Sequence, residues 1–480
     1  MTEMEKCYEQ MYEFENNSRL YDFKFMDTEI PMWMYIRSYF IRDLIDKKIS
    51  HQIRKISIKK SKEYKKKGFI SKYIIRNPFI SSKKDILFAF WSYDALSQHD
   101  NGLVYDDLIM PFINMFPNNT ITLMNGEILN EYERNCSYIN WKMDDIFIDI
   151  QNYTSIFKPH QNISEKDKKN IKNLIAFLNH NCPLPINDNM RKEIAYKLEN
   201  FARNSKQIIR IFEVYLQKIN PKLAVICCAS YPDLFRTCLI LACKNQKIVT
   251  AELQHGLISK YHSFYQYSDY ILTDKSCGKI FTDYYLTFGN YWSNQAKIPQ
   301  KCNVIGYTKP VIKEEVPDNN YILFCAGLNF DEYFKFLNRI MPELDESAII
   351  YFRFHPLYST KEQRDWFEKK LKYPNFIIAN ENGLNFYMKK CRYVIVDGST
   401  VCYEALFTGR IVFSFASQES IQCGLSQLQS VHMIKNGDDF LKLWNNRNIL
   451  KSEYHKEFFD VNYKKNYIEF LKKCGIDTTI

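Results

Sequence analysis

At 480 residues the chain exceeds what one hydrophobic core usually serves, which sets an expectation of two domains plus an appendage. A hydrophobic content of 46% with 16% aromatics excludes a disordered chain, and no run approaches the roughly 20 apolar residues of a membrane span. The net charge of +10 is modest for this length, so a dedicated nucleic-acid binder is excluded, and an acidic small ligand or an anionic membrane surface fits better. The 14 cysteines show neither a CxxC pair nor zinc-ligand spacing with histidine, and read as reduced core thiols. With the polar start Met1-Thr2-Glu3-Met4-Glu5-Lys6, which shows no signal peptide, they set the expectation of a cytoplasmic protein.

Residues 1–50 mix apolar and charged positions at near-helical spacing and open a helical N-terminal extension expected over 1–80. From 51 to 76 the chain turns basic, with Arg54, Lys55, Lys59, Lys60, Lys62, Lys65, Lys66, Lys67, Lys72 and Arg76 interleaved with isoleucines and aromatics. That mixture reads either as a solvated helix and linker or as a peripheral contact with anionic lipid at the inner face of the plasma membrane. The first sheet strand is expected from Asp85 to Trp91, followed by a loop dense in titratable groups: Asp94, His99 and Asp100. A helix (Leu108 to Phe116), a strand (Thr120 to Met124) and helices near Asp167 to Leu178 and Met190 to Asn204 come next.

From Lys206 the pattern sharpens into a helix to Ile219, a strand Leu223 to Cys228, a helix Asp233 to Lys244 and a strand Ile248 to Leu253, a βαβ unit. The second strand ends in Glu252-Leu253-Gln254-His255-Gly256. Strands are then expected at Tyr270 to Thr273 and Asn303 to Ile305, with a helix near Gly278 to Phe288 between them. The polar, proline-bearing segment 311–320 reads as a linker. Beyond it strands starting near Tyr321, Ala348, Phe376, Tyr393 and Ile411 alternate with helices near Asp331, Lys361, Leu384 and Val401, and the end from Asp438 is helical.

Two segments of this half carry chemistry. The strand Ala348 to Phe354 stops at Pro356 with His355 at its carboxyl edge, and the β-branched strand Arg392 to Val396 breaks at Asp397-Gly398. Ser399 or Thr400 can then cap a helix running through Glu404, and a loop with free hydroxyls and backbone N–H groups suits a phosphate. In an open parallel sheet such strand ends converge on one crevice.

Two successive α/β domains, the Gly306-to-Pro310 punctuated junction, His355-Pro356 after a strand, and Gly398-Ser399-Thr400 followed by Glu404-Ala405-Leu406 resemble the GT-B glycosyltransferases. Within them the chain is most similar to bacterial capsule and surface-polysaccharide transferases: sialyltransferases, Kdo transferases and CDP-glycerol glycerophosphotransferases. The resemblance runs from about Asp85 to Asp439 and is strongest from Leu223. It implies an α/β fold of two Rossmann-like domains facing a cleft, with 81–310 as the acceptor domain, 321–440 as the nucleotide-donor domain and C-terminal helices over 441–480. It further implies that His355, Ser399 and Thr400 contact the phosphate of a cytidine nucleotide, and that Glu404 grips the ribose. Arg353, Pro356 and Gly398 are expected in the same donor site, Arg353 adding charge where its strand face opens to the cleft, and the resemblance puts Gln254-His255-Gly256 on the cleft face of the first domain. The acidic pair followed by glycine that sialyltransferases carry there has no copy before His255.

Sugar transfer needs a base beside the acceptor hydroxyl and a positive environment for the departing phosphate. The candidates for the base are His255, Asp94, Asp100 and Glu252, and Gln254, Gly256, His99 and His262 are candidates for acceptor contact. No Asp-x-Asp pair sits at a strand end, so neither a metal nor another cofactor is expected, and the partners are a nucleotide-sugar donor and a glycan or lipid-linked glycan acceptor. The reading is transfer from a CMP- or CDP-linked sugar, with UDP second, to a growing capsule or lipopolysaccharide glycan. A CDP-alditol phosphotransferase of teichoic-acid type, a non-hydrolysing sugar-nucleotide epimerase and a catalytically idle scaffold are the competing readings.

Overall fold

A computed structural model describes residues 2–50, 82–90, 96–98, 104–125, 146–148, 162–309, 315–327, 329–355, 359, 361–379 and 383–479. The basic stretch 51–76, the candidates Asp94, His99 and Asp100, and Pro356 lie outside them. Two parallel sheets organise the rest.

The first sheet contains β1 (Ile86–Phe90), β4 (Thr120–Asn125), β5 (Ile146–Ile148), β6 (Leu223–Ile226), β7 (Val249–Leu253), β8 (Tyr284–Thr287) and β9 (Lys301–Val304), in the order β5-β4-β1-β6-β7-β8-β9. A small antiparallel hairpin, β2 (Leu96–Gln98) with β3 (Val104–Asp106), stands apart from it. The second sheet contains β10 (Tyr321–Cys325), β11 (Ile349–Arg353), β12 (Phe376–Ile378), β13 (Tyr393–Val396), β14 (Ile411–Phe415) and β15 (Val431–Ile434), in the order β12-β11-β10-β13-β14-β15. Numbered within the second sheet, that order is 3-2-1-4-5-6, the doubly wound arrangement whose switch point lies between the first and fourth strands. The first sheet follows the same order with a seventh strand added. The chain is therefore α/β with two Rossmann-like sheets, the GT-B arrangement.

Strands β6, β13 and β14 are buried at every position, as layers of helix on both faces require of a parallel sheet. Their apolar runs are what made them legible. Elsewhere the elements differ from expectation. One helix, Asp188–Ile219, replaces the two expected between Met190 and Ile219, because Ile194, Leu198, Phe201, Ser205, Ile208 and Phe212 keep one unbroken buried stripe. The strand expected at Tyr270 to Thr273 is a short helix, Asp269–Thr273, held where Tyr270 stacks on Tyr21 at 4.5 Å. The helix expected over Gly278 to Phe288 is a turn at Cys277–Ile280 followed by β8, whose register beside β7 is set by Asp283 accepting from the Thr250 amide and hydroxyl at 2.8 Å each. Short apolar runs carry no decisive period, so sheet neighbours decide them. β5 and β15 were not anticipated for the same reason.

The N-terminal helices Glu3–Phe14 and Met32–Ser50 pack into the core of the first sheet's helical layer. The final helix, Tyr463–Lys473, returns to the first sheet and buries Tyr467, Phe470 and Leu471 against Ile86, Phe112 and Leu253. Gly306, at φ +94°, lets the chain leaving β9 pass under the Asp460 carbonyl, where a Cβ would sit 2.8 Å away. No helix among the described residues is long and apolar enough to cross a membrane. The described cysteines are free thiols.

Candidate active site

The carboxyl ends of both sheets face each other across an aromatic seam. Trp292, Phe288 and Tyr307 from the first half meet Tyr403, Phe458 and Phe459 from the second and the C-terminal crossing, with Trp292 and Tyr403 centroids 4.6 Å apart. Among them lies a partly open space of about 30 Å³, lined by His255, Gly256, Lys309 and Thr400. Residues 145 apart in sequence thus share one wall-to-wall contact zone.

Gln254 builds the turn behind it. Its amide Nε2 donates to the Gly256 carbonyl and its Oε1 accepts the Phe288 N–H, both at 2.8 Å. Being 0% exposed, it shapes the rim and cannot itself touch an acceptor, which corrects the expectation for this residue. Gly256 is not needed for the turn: its φ is not left-handed and an added Cβ would meet nothing within 4 Å. Its missing side chain leaves the cleft floor open.

Glu252 is also 0% exposed, with both carboxylate oxygens accepting the Ser230 N–H at 3.0 Å and Oε2 the Ser230 hydroxyl at 2.6 Å. Burial pushes its carboxyl up to about 7 against the pull of those bonds and of Arg236. A group so enclosed cannot accept a proton from an acceptor hydroxyl; its place is behind the rim, tying the Cys227–Tyr231 loop to β7. This removes it from the candidate bases.

His255, another of the candidates, lies on the wall of the space described above. Its Nδ1 lies 3.3 Å from the Tyr265 hydroxyl and its ring stands edge-on to Tyr231 at 5.4 Å. Burial, with the nearby Arg236 charge, pulls its pKa down to about 4, so the imidazole is neutral at pH 7. His262 stacks on Tyr265 at 5.0 Å, and its Nε2 lies 3.4 Å from the Tyr231 hydroxyl. Burial, His255 and Arg42 bring it down to about 3. Tyr265 and Tyr261 are buried at 1% and 3% exposure and serve as packing.

These two shifts have a sign. Each imidazole binds its proton less tightly in the folded chain than in the unfolded one, so their contribution is complete above about pH 6.5 and is lost as pH falls toward 4 and below. Glu252, raised, acts oppositely between about 4.5 and 7, but two imidazole shifts outweigh one carboxyl shift at about 1.4 kcal/mol per unit. The melting temperature is expected to drop steeply from pH 6.5 to 4, and His262→Gln is expected to flatten that limb. A variant as acid-sensitive as wild type would refute the assignment.

On the second sheet, β11 ends at Arg353 with His355 just beyond, and β13 ends at Asp397-Gly398-Ser399-Thr400. With β10 between them, the two edges lie about 10 Å apart, two strand spacings. Arg353 donates through Nη1 to the Ala379 carbonyl at 3.1 Å, and the His355 carbonyl accepts the Ser359 hydroxyl at 3.0 Å. Ser399 Oγ accepts the Val401 N–H at 3.3 Å, while the Thr400 side chain takes no capping bond. Gly398 has φ +59° and a Cβ there would come within 2.3 Å of Glu419, so only glycine fits this turn.

Three residues the sequence reading did not single out complete the site. Asp397, 5% exposed, accepts from Tyr333 Oη at 2.5 Å, from Asn329 at 3.3 Å and from Ser417, which clamps the loops after β10, β13 and β14 together. Burial raises its pKa despite those donors. Tyr307, from the stretch after β9, donates to Glu404 Oε1 at 2.7 Å, fixing that carboxylate across the domain junction. Lys309 brings a cation to the wall shared by Thr400 and His255. An aspartate at a strand end before Gly-Ser, and a lysine just after the last strand of a domain, were the signals available.

No family model matches the chain, and no curated protein does. Solved structures do. A Staphylococcus aureus MnaA–UDP structure is similar at 13% identity and TM-score 0.46, covering 82% of this chain and 98% of its own. A Neisseria meningitidis UDP-GlcNAc 2-epimerase bound to UDP-GlcNAc (14%, TM-score 0.47, 81% and 99%) and Acinetobacter baumannii MurG (8%, TM-score 0.47, 81% and 99%) are similar likewise. The residue assignments rest on this chain's own geometry.

Proposed function

We propose that the chain is a glycosyltransferase that moves a sugar from a nucleotide-activated donor, CMP- or CDP-linked first and UDP-linked second, to a growing capsule or lipopolysaccharide glycan. The observation that supports it is the single wall shared by a neutral histidine of the first sheet, His255, and a free-hydroxyl loop of the second, Thr400. His255 accepts the acceptor hydroxyl proton through the ring nitrogen that Tyr265 does not engage. The acceptor oxygen bonds to the sugar carbon as the carbon–oxygen bond to the donor phosphate breaks, its electron pair leaving with the phosphate. Ser399, Thr400, His355 and Lys309 meet that charge with hydroxyls, an imidazole N–H and an ammonium, at about 1.5–3 kcal/mol per charge-assisted bond. Glu404, oriented by Tyr307, takes the ribose hydroxyls. This set works without a metal, and turnover is expected to persist in excess chelator.

A thermal-shift panel of CMP, CDP, UDP and GDP tests the donor. A nucleotide at a hundred times its dissociation constant stabilises by about 2.7 kcal/mol, and His355→Ala is expected to lose most of that gain. A response to GDP alone would overturn the donor. Interconversion of a sugar nucleotide with no acceptor present would make the chain an epimerase, and a phosphorus-containing polymer would make it an alditol phosphotransferase.

A further inference from the structure

The N-terminal extension does more than cover the first sheet. Along the helix Met32–Ser50, Tyr39, Arg42 and Asp46 fall three and four residues apart and so share one face. That face spans the cleft rim. Tyr39 meets Phe264 edge-on at 4.9 Å, and Phe264 stacks on Tyr231 at 3.9 Å, the ring that contacts both His255 and His262. At the other end Asp46 accepts Gln418 Nε2 at 2.9 Å, and the helix Gln418–Gln422 is the one packed behind Gly398 of the donor loop.

Arg42 sits between these anchors. Its guanidinium lies 5.1 Å from the Tyr39 ring centroid and 5.5 Å from that of Phe264, which holds the planar group in place. Its side chain is 35% exposed, and its carboxylate neighbour Asp43, itself 31% exposed, is met only at 3.3 and 3.4 Å. A second guanidinium among the described residues on this side, Arg236, is 8% exposed and paired with Asp233 at 2.5 Å. Of the two, Arg42 is the more exposed, and its charge reaches His262, an imidazole that carries no charge at pH 7.

The geometry points to Arg42 as a recognition residue of the acceptor side, binding a carboxylate or phosphate on the acceptor glycan next to the hydroxyl that His255 deprotonates. With Nε and Nη2 turned to Asp43, the Nη1–Nη2 edge of this aromatic-backed guanidinium is the one that matches either oxyanion bidentately. The inference rests on the transferase reading for what the anion belongs to, but its site is independent of the nucleotide.

The test is made on the full chain with CMP or UDP saturating, so that the phosphate site of the second sheet is filled. Phenylglyoxal modification of Arg42, followed by peptide mapping, is expected to slow at least tenfold with D-glucuronate or inorganic phosphate present and not with D-glucose. Protection by glucuronate alone identifies a uronic-type acceptor group, and by phosphate alone a phosphorylated one. In the second arm Arg42→Gln, which keeps the stem over Phe264, is expected to abolish the rise in melting temperature that the protecting anion gives wild type, with Arg42→Lys retaining part. Equal modification with and without both anions, or an unchanged anion response in Arg42→Gln, overturns the proposal. Loss of nucleotide binding would instead count against the transferase reading and leave the anion result standing.

Discussion

His255→Asn is expected to lower kcat by about a hundred- to ten-thousand-fold, the usual worth of a positioned proton acceptor, while the donor KM stays within a few-fold. The separation follows from where the groups sit: His255 belongs to the turn after β7, whereas His355, Ser399 and Thr400 of the proposed donor site belong to the loops after β11 and β13. Asparagine preserves a polar partner for Tyr265 but has no basic nitrogen, so the loss reports chemistry rather than collapse of the rim. Because burial and Arg236 hold the imidazole near pKa 4, wild-type kcat/KM is expected to be flat from pH 6 to 8 and to fall only in acid. A kcat within threefold of wild type, or an acid limb centred near 6.5, would sink His255 as the base.

The second large effect is on stability. Glu15→Ala is expected to cost about 3–5 kcal/mol, since it strands a buried guanidinium. Arg37 and Glu15 are both 0% exposed. Glu15 takes Arg37 Nε through Oε1 and Nη2 through Oε2, the latter at 2.8 Å, and also accepts Trp33 Nε1 at 2.9 Å. Arg37 in turn donates to the Ser263 and Gln266 carbonyls at 2.8 and 2.9 Å and lies 4.4 Å from the Tyr267 ring centroid. The segment so held carries His262, Phe264 and Tyr265, so activity should fall with stability. Urea unfolding of Glu15→Ala beside Glu15→Ala/Arg37→Met checks this: removing the stranded charge should restore a large part of the loss. Equal stability of the two variants would show the ion pair to be incidental.

Much of the architecture was legible without coordinates because its signals are local. Leu223 to Ile226 and Tyr393 to Val396 are continuous apolar runs that only a doubly covered strand needs, and the polar breaks after them announce a strand's carboxyl edge. Runs such as Tyr270 to Thr273 and Tyr284 to Thr287 carry too few residues to show a period, and the neighbours that decided them lie far away in sequence.

The sequence by itself determined two parallel-sheet halves and put His255, His355, Ser399 and Thr400 at strand ends, since periodicity and turn chemistry act over a few residues. Only the tertiary structure decided that Glu252 and Gln254 face inward, that Tyr307 reaches Glu404 across 97 positions, and that on the N-terminal helix Arg37 is buried against Ser263 while Arg42 lies beside Phe264. Those outcomes depend on which buried polar group finds a partner when distant segments pack, and a partner more than 200 residues away, as Ser263 is from Arg37, leaves no periodic trace in the chain.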